Sequence, residues 1–178
     1  MSNRKQPPAK QRPGSPKSAV VWLSITAFAV LAAIAGGVIW MAPPALAPED
    51  ADVVVYKTAT CGCCNKWVDH LREHDLSVSV INVRETRSAQ QRLGVPATLG
   101  SCHTAKVGDY FVEGHVPADL VQQLLDEKPD NLRGIAVPGM PIGSPGMEGP
   151  NAVDYEVVSV DLQGEIAVYA TRQGRTAN

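Results

Sequence analysis

The stretch 53-VVVYKTATCGCCNKW-67 decides how this chain is read. Val53 to Tyr56 is a short β-branched and aromatic run, the composition of a buried strand. Three cysteines follow at once, Cys61, Cys63 and Cys64. From Asn65 to His74 the sequence suits a helix, with Trp67, Val68 and Leu71 forming one core-facing stripe. A strand that runs through a cysteine turn into a helix opens an α/β unit.

Downstream segments continue the alternation. Val78, Val80, Ile81 and Val83 predict a second strand, and Glu85 to Leu93 a second helix ended by Gly94. Residues 97–112 predict strands around a turn at Gly108-Asp109. Pro117 opens a third helix, where a missing N–H costs little, and that helix stops before Pro129. The order β-α-β-α-β-β-α, with cysteines at the first strand-to-helix turn, is that of a thioredoxin-like α/β domain, placed at residues 53–150. Val95-Pro96, just before the third strand, fits the proline that faces the cysteine turn in that fold, often in the cis form. Gly134 to Gly149, GIAVPGMPIGSPGMEG, reads as a Gly/Pro loop holding a near-repeat, Pro138-Gly139-Met140 and Pro145-Gly146-Met147. Residues 151–178 alternate around Gln163-Gly164, predicting an added C-terminal β-hairpin.

The region before this domain sets its compartment. Residues 1–18 carry five basic residues and no acid, whereas the other 11 basic residues stand against all 18 acidic ones, a balance of −7. Residues 19–42 contain no charge and are long enough to cross about 30 Å of hydrocarbon. The basic tail stays cytoplasmic under the positive-inside rule, so the segment is read as an inner-membrane anchor with the domain facing the periplasm. The alternative is a signal peptide cleaved after Ala45-Leu46-Ala47, leaving a soluble periplasmic protein. The apolar run exceeds a usual signal core, and Pro48 is a poor first mature residue. Residues 43–52 form a Pro/Ala linker. Both readings export the domain to an oxidising compartment, where thiols are bridged, metal-bound or kept reduced by a partner.

Cys61 and Cys64 have the C-x-x-C spacing of a dithiol–disulfide pair at a helix start, where the N-terminus favours thiolate. Such a pair gains nothing from Cys63. Metal binding uses it: Gly62 permits the sharp turn that lets three sulfurs converge, and Cys102 can add a fourth. Crowded thiolates select soft, low-coordinate ions, above all Cu(I), and can bridge several of them. The remaining alternative is two disulfides, Cys61–Cys64 and Cys63–Cys102. His103 and His115, in loops near the same site, are candidates to ligate or to brace a ligand. His70 and His74, four apart on the first helix, read as a solvated face. Met140 and Met147 lie where there is little core to fill, and their thioethers bind Cu(I) without losing a proton. They are candidates for copper capture or delivery, with packing over the cysteines as the rival reading. No paired-carboxylate site, Ser/His/Asp set, phosphate-binding loop or aromatic–basic interleaving is present, so hydrolytic and nucleic-acid roles are excluded.

YKTATCGCCNKW (56–67), VPATLGSCHTAKVGDYFVEGHVPA (95–118) and GIAVPGMPIGSPGMEG (134–149) together resemble exported metal-binding proteins linked to copper-resistance operons, the CopG-like proteins. The resemblance spans roughly residues 53–150. It implies a thioredoxin-like fold, a periplasmic Cu(I) cluster ligated by Cys61, Cys63, Cys64 and Cys102, and a role in copper detoxification that includes copper redox conversion. Copper ions, and periplasmic copper-handling proteins that exchange them, are the implied partners. The basic tail, the apolar segment and the terminal hairpin lie outside the shared region. The competing enzyme reading is a membrane-tethered thiol–disulfide oxidoreductase, with Cys61 as nucleophile and Cys64 as resolving thiol.

Overall fold

The computed structural model describes residues 50–176, so the expected basic tail, the anchor or signal segment at 19–42 and the linker up to Glu49 lie outside the described residues. Among the described residues no helix is long and apolar enough to cross a membrane.

Among the described residues seven strands make one mixed sheet. They are β1 (Val53–Thr58), β2 (Val78–Val83), β3 (His103–Val107), β4 (Tyr110–Glu113), β5 (Leu132–Ala136), β6 (Tyr155–Asp161) and β7 (Ile166–Arg172). Their order across the sheet is β2-β1-β3-β4-β5-β6-β7. The β1–β2 and β4–β5 pairs are parallel, and the others are antiparallel. Three helices connect them: α1 (Gly62–Arg72), α2 (Arg87–Leu93) and α3 (Ala118–Glu127). The molecule is therefore of the α/β class.

Alternating burial along β1 shows how the layers form. Val53, Val55 and Lys57 point to the side that α1 and α3 cover. There Trp67, Val68 and Leu71 of α1 meet Leu120, Val121 and Leu124 of α3 over Ala105, Val107 and Ile135 of the sheet. The opposite face buries Phe111, Val158 and Val160 under Leu93, Val95 and Leu99, at and after the end of α2. Helix ends obey local chemistry. Gly94 closes α2 in the left-handed conformation at φ 74°, and Pro117 precedes the first residue of α3.

Three expectations are corrected. Helix α1 begins at Gly62 rather than Asn65, because Cys61 caps it: its Sγ accepts the Cys64 N–H at 3.4 Å. The Gly/Pro loop does not begin at Gly134, since Gly134 to Ala136 belong to β5. A Cβ on Gly134 would lie 2.2 Å from the Phe111 carbonyl oxygen, so this glycine marks close backbone approach within a strand. Pro96 does not stand immediately before β3. It precedes a 3-10 turn (Ala97–Leu99), the described residues contain no cis peptide bond, and the residue that leads into β3 is Cys102.

The loop from Val137 to Asp154 returns over the end of α1, and the residues after β7 fasten it. The Arg175 N–H donates to the Gly143 carbonyl at 2.9 Å, and the Val153 N–H donates to that of Ile142 at 3.0 Å. Gly174 lies so close that an added Cβ would fall 2.3 Å from the Val153 carbonyl oxygen.

Candidate metal centre

Strand β1 and helix α1 deliver the first three sulfurs. Placing Cys61 at the cap puts Cys63 and Cys64 in the opening turn of α1, where unpaired backbone N–H groups favour negative charge. Strand β3 delivers the fourth: it runs antiparallel to β1 with His103 opposite Lys57, which sets Cys102 across from the cysteine turn.

The four sulfurs converge, all within 4.8 Å of one another. Cys61 and Cys64 are bridged as a disulfide with Cα atoms 5.3 Å apart, while Cys63 and Cys102 are free. Cys63 Sγ lies 3.6 Å from Cys61 Sγ and 3.9 Å from Cys102 Sγ, and Cys64 Sγ lies 3.5 Å from Cys102 Sγ. Half of the two-disulfide arrangement is thus present, and the second bridge is not formed.

Two buried imidazoles flank Cys102, with His103 Nδ1 and His115 Nε2 each 3.4 Å from its Sγ. His115 donates its Nδ1 hydrogen to the Pro145 carbonyl at 2.8 Å, which fixes the tautomer and leaves the Nε2 lone pair facing the sulfur. His103 stacks on Trp67 with centroids 4.3 Å apart, and its Nε2 is buried without a partner. Burial, reinforced by His115, pulls His103 down to a pKa of about 3. Burial also lowers His115. Burial, and then the neighbouring Cys63, pushes the Cys102 thiol up to about 11. The pocket is therefore a protonated thiol between two neutral imidazoles, a set of donors that a soft cation can recruit by displacing one proton.

Several bracing groups were not anticipated. Glu113 is fully buried, and its Oε1 accepts the Ser101 N–H and the Gln90 side-chain N–H, holding the residue before Cys102. Burial raises its carboxyl to about 7. The signal for it was an acid closing the otherwise apolar run Tyr110-Phe111-Val112. Trp67 donates its indole N–H to the Val116 carbonyl at 2.7 Å, tying α1 to the His115 segment. Gly146 packs on the first turn of α1, where a Cβ would lie 2.8 Å from both the Cys63 oxygen and the Trp67 nitrogen.

The remaining candidates are placed as follows. Met147 is half-buried next to Gly146, and Met140 is 41% exposed on the outer part of the same loop. His74 is exposed, as a solvated face requires, but His70 is buried and its Nε2 accepts the Ala118 N–H at 3.1 Å. His70 thus braces the start of α3 instead of facing solvent.

A search among curated proteins finds no match. Residues 99–147 match a family model described as a protein of unknown function, DUF411. A solved structure described as copper resistance protein CopG, form 2, is 40% identical, with a TM-score of 0.64 over 70% of this chain and 99% of that one. A second, described as form 1 of the same protein, is 41% identical, with a TM-score of 0.63 over 68% and 97%. The chain belongs to the CopG-like copper-resistance family. The family-model match contains Cys102, His103, His115, Met140 and Met147, and it stops short of Cys61 to Cys64 on the N-terminal side. In this CopG-like protein both halves of the centre are present, and the cysteine cluster is capable of holding a metal.

Proposed function

We propose that this protein handles copper in copper resistance, holding Cu(I) on the thiolates of Cys61, Cys63, Cys64 and Cys102, with His103 and His115 beside Cys102. The observation that carries the reading is the convergence of four sulfurs within 4.8 Å. A structural bridge needs two of them, and so does a thiol exchanger. Clustered thiolates suit Cu(I), and they suit more than one ion when sulfurs bridge. The family relationship to proteins described as copper resistance proteins supports copper over other soft ions. The Cys61–Cys64 bridge adds a redox condition: two electrons and two protons must enter before all four sulfurs are thiols.

The strand order β2-β1-β3-β4 and the connections through α1 and α2 support a thioredoxin-like ancestry for the first half of the sheet. The uncharged run at 19–42 behind a basic tail supports anchoring in the inner membrane, with the domain on the periplasmic side, where copper-handling proteins are the natural exchange partners.

One observation favours a second reading. The bridged Cys61–Cys64 pair at a helix start is also the resting form of a thiol–disulfide oxidoreductase. A single experiment separates the two. The full-length chain, reduced and kept anaerobic, is titrated with Cu(I) against a competing chelator, with copper and free thiols counted per protein. We expect uptake of at least two ions, lost when Cys63 and Cys102 are both changed to serine. No competitive uptake, together with insulin reduction that depends only on Cys61 and Cys64, would establish the oxidoreductase instead.

A further inference from the structure

The segment from Val137 to Met147 is pinned at both ends against the metal centre, and between them Pro138 to Met140 stand exposed. At its start, the Val137 N–H donates to the Glu113 carbonyl at 3.0 Å. The Val137 oxygen approaches Gly114 so closely that a Cβ there would lie 2.9 Å from it and 3.0 Å from Ser101 Oγ. The segment therefore leaves the sheet beside the residues that precede Cys102 and His115. At its end, the Pro145 carbonyl holds His115 Nδ1, and Gly146 abuts the Cys63 carbonyl. Met147 is locked into this end through its backbone, its N–H bonded to the Ser144 carbonyl at 2.8 Å and its own carbonyl to the Gly143 N–H at 2.9 Å.

Between the pins, Gly139 and Met140 both adopt the left-handed conformation, at φ 73° and 49°. Glycine pays nothing for this, whereas methionine is disfavoured there, and asparagine or a second glycine would suit the backbone better. Packing does not account for the choice either, because the Met140 side chain stays 41% exposed and takes no part in the buried core. What methionine brings that glycine, asparagine and leucine do not is a thioether, a soft sulfur that binds Cu(I) with no proton to lose.

We propose that the Met140 and Met147 thioethers form a loading path for Cu(I), the exposed Met140 capturing the ion and the half-buried Met147 passing it toward Cys63 and Cys102. This deepens the copper reading above and rests on it. Each step is a ligand exchange at an ion that stays Cu(I). A thioether sulfur leaves unchanged as a cysteine sulfur binds, and the cysteine proton passes to water. No electron moves.

The test uses the full-length chain and the substitution Met140→Leu, which keeps apolar bulk at the same backbone position and removes only the sulfur. Wild type and M140L are loaded from a Cu(I)–chelator complex under stopped flow, and final copper content is measured by competition. We expect M140L to load at least five-fold more slowly, with copper per protein and competition affinity unchanged, and M147L to be slowed as well. In parallel, methyl-13C-methionine NMR follows Ag(I), a redox-inert stand-in, added to a variant with all four cysteines changed to serine; M140L assigns the resonance. Ag(I) should shift the Met140 methyl even without the cysteines. Normal loading by M140L sinks the path while leaving the thiolate reading intact, and so does a Met140 methyl that silver does not move. No Cu(I) uptake by wild type, with the Met140 methyl still moved by silver, sinks the thiolate reading and supports the outer thioether site on its own.

Discussion

Gly146 shows how little of a metal centre is carried by its ligands. Its φ of 82° and its contact with the Cys63 oxygen leave no space for a side chain, so Gly146→Ala must push the loop away from α1 or twist its backbone. We expect a loss of about 1–3 kcal/mol in denaturant unfolding. Weaker Cu(I) retention should accompany it, because the shifted Pro145 carbonyl no longer orients His115. An unchanged unfolding midpoint and affinity would mean the loop is not seated on the cysteine turn. At this scale the sequence was informative wherever residue type carries the chemistry. Cys61, Cys63, Cys64 and Cys102 are recognisable by spacing and softness, and His103 and His115 by proximity to conformational punctuation. The Pro145 carbonyl was invisible, since every residue has one and only the fold says which carbonyl faces an imidazole. Glu113 has the sequence of an ordinary strand-end acid, because its burial depends on α2 and the Ser101 backbone lying across it.

Among the elements, β1, β2 and α3 were legible because β-branched runs and apolar periodicity report directly on strands and amphipathic helices. Strand β5 was not, because Gly134 looks like loop punctuation while it serves close contact with Phe111. The start of α1 was missed for a related reason: Cys61 has no reputation as a cap, yet its sulfur does the work of a serine oxygen. The sheet and the metal centre meet at Trp67, which is fully buried, stacks on His103 and bonds the Val116 carbonyl. Trp67→Phe keeps most of the apolar contact and strands that carbonyl inside the core. Unfolding in urea should show a loss of about 1–3 kcal/mol. A variant as stable as wild type would show that the Val116 carbonyl finds another donor, and that α1 does not depend on this tie.

For the molecule as a whole, the buried ionisable groups pull acid stability in opposite directions. His70 is lowered to about 4 by burial, then by His74 and Arg175, with Glu148 and Asp119 opposing. The unfolded chain therefore protonates at His70 first, near pH 6.5, and the stability that the neutral ring contributes is lost as pH falls from there toward 4. Glu113 works the other way, its contribution present below about pH 4.5 and lost as pH rises through about 7. Comparing variants isolates one group. His70→Gln, which keeps an acceptor for the Ala118 N–H, should come close to wild type at pH 7 and exceed it by on the order of 2–3 kcal/mol toward pH 4, where only wild type must protonate a buried ring. A gap that does not change with pH in metal-free protein would remove His70 from the account.

The clasp of Gly174 and Arg175 on the loop at Gly143 and Val153 also has a meaning in time. Chains are made from the N-terminal end, and Cys64 and Gly174 stand 110 positions apart. At the usual rates of synthesis, the cysteine turn precedes its clasp by on the order of ten seconds. During that interval the cysteine turn stands without Cys102 and the loop, and a Cys61–Cys64 bridge leaves Cys63 as the one free thiol of the turn until they arrive. The disulfide then belongs to the history of the site as well as to its chemistry: the pocket is finished last, and the bridge keeps its sulfurs in order until then.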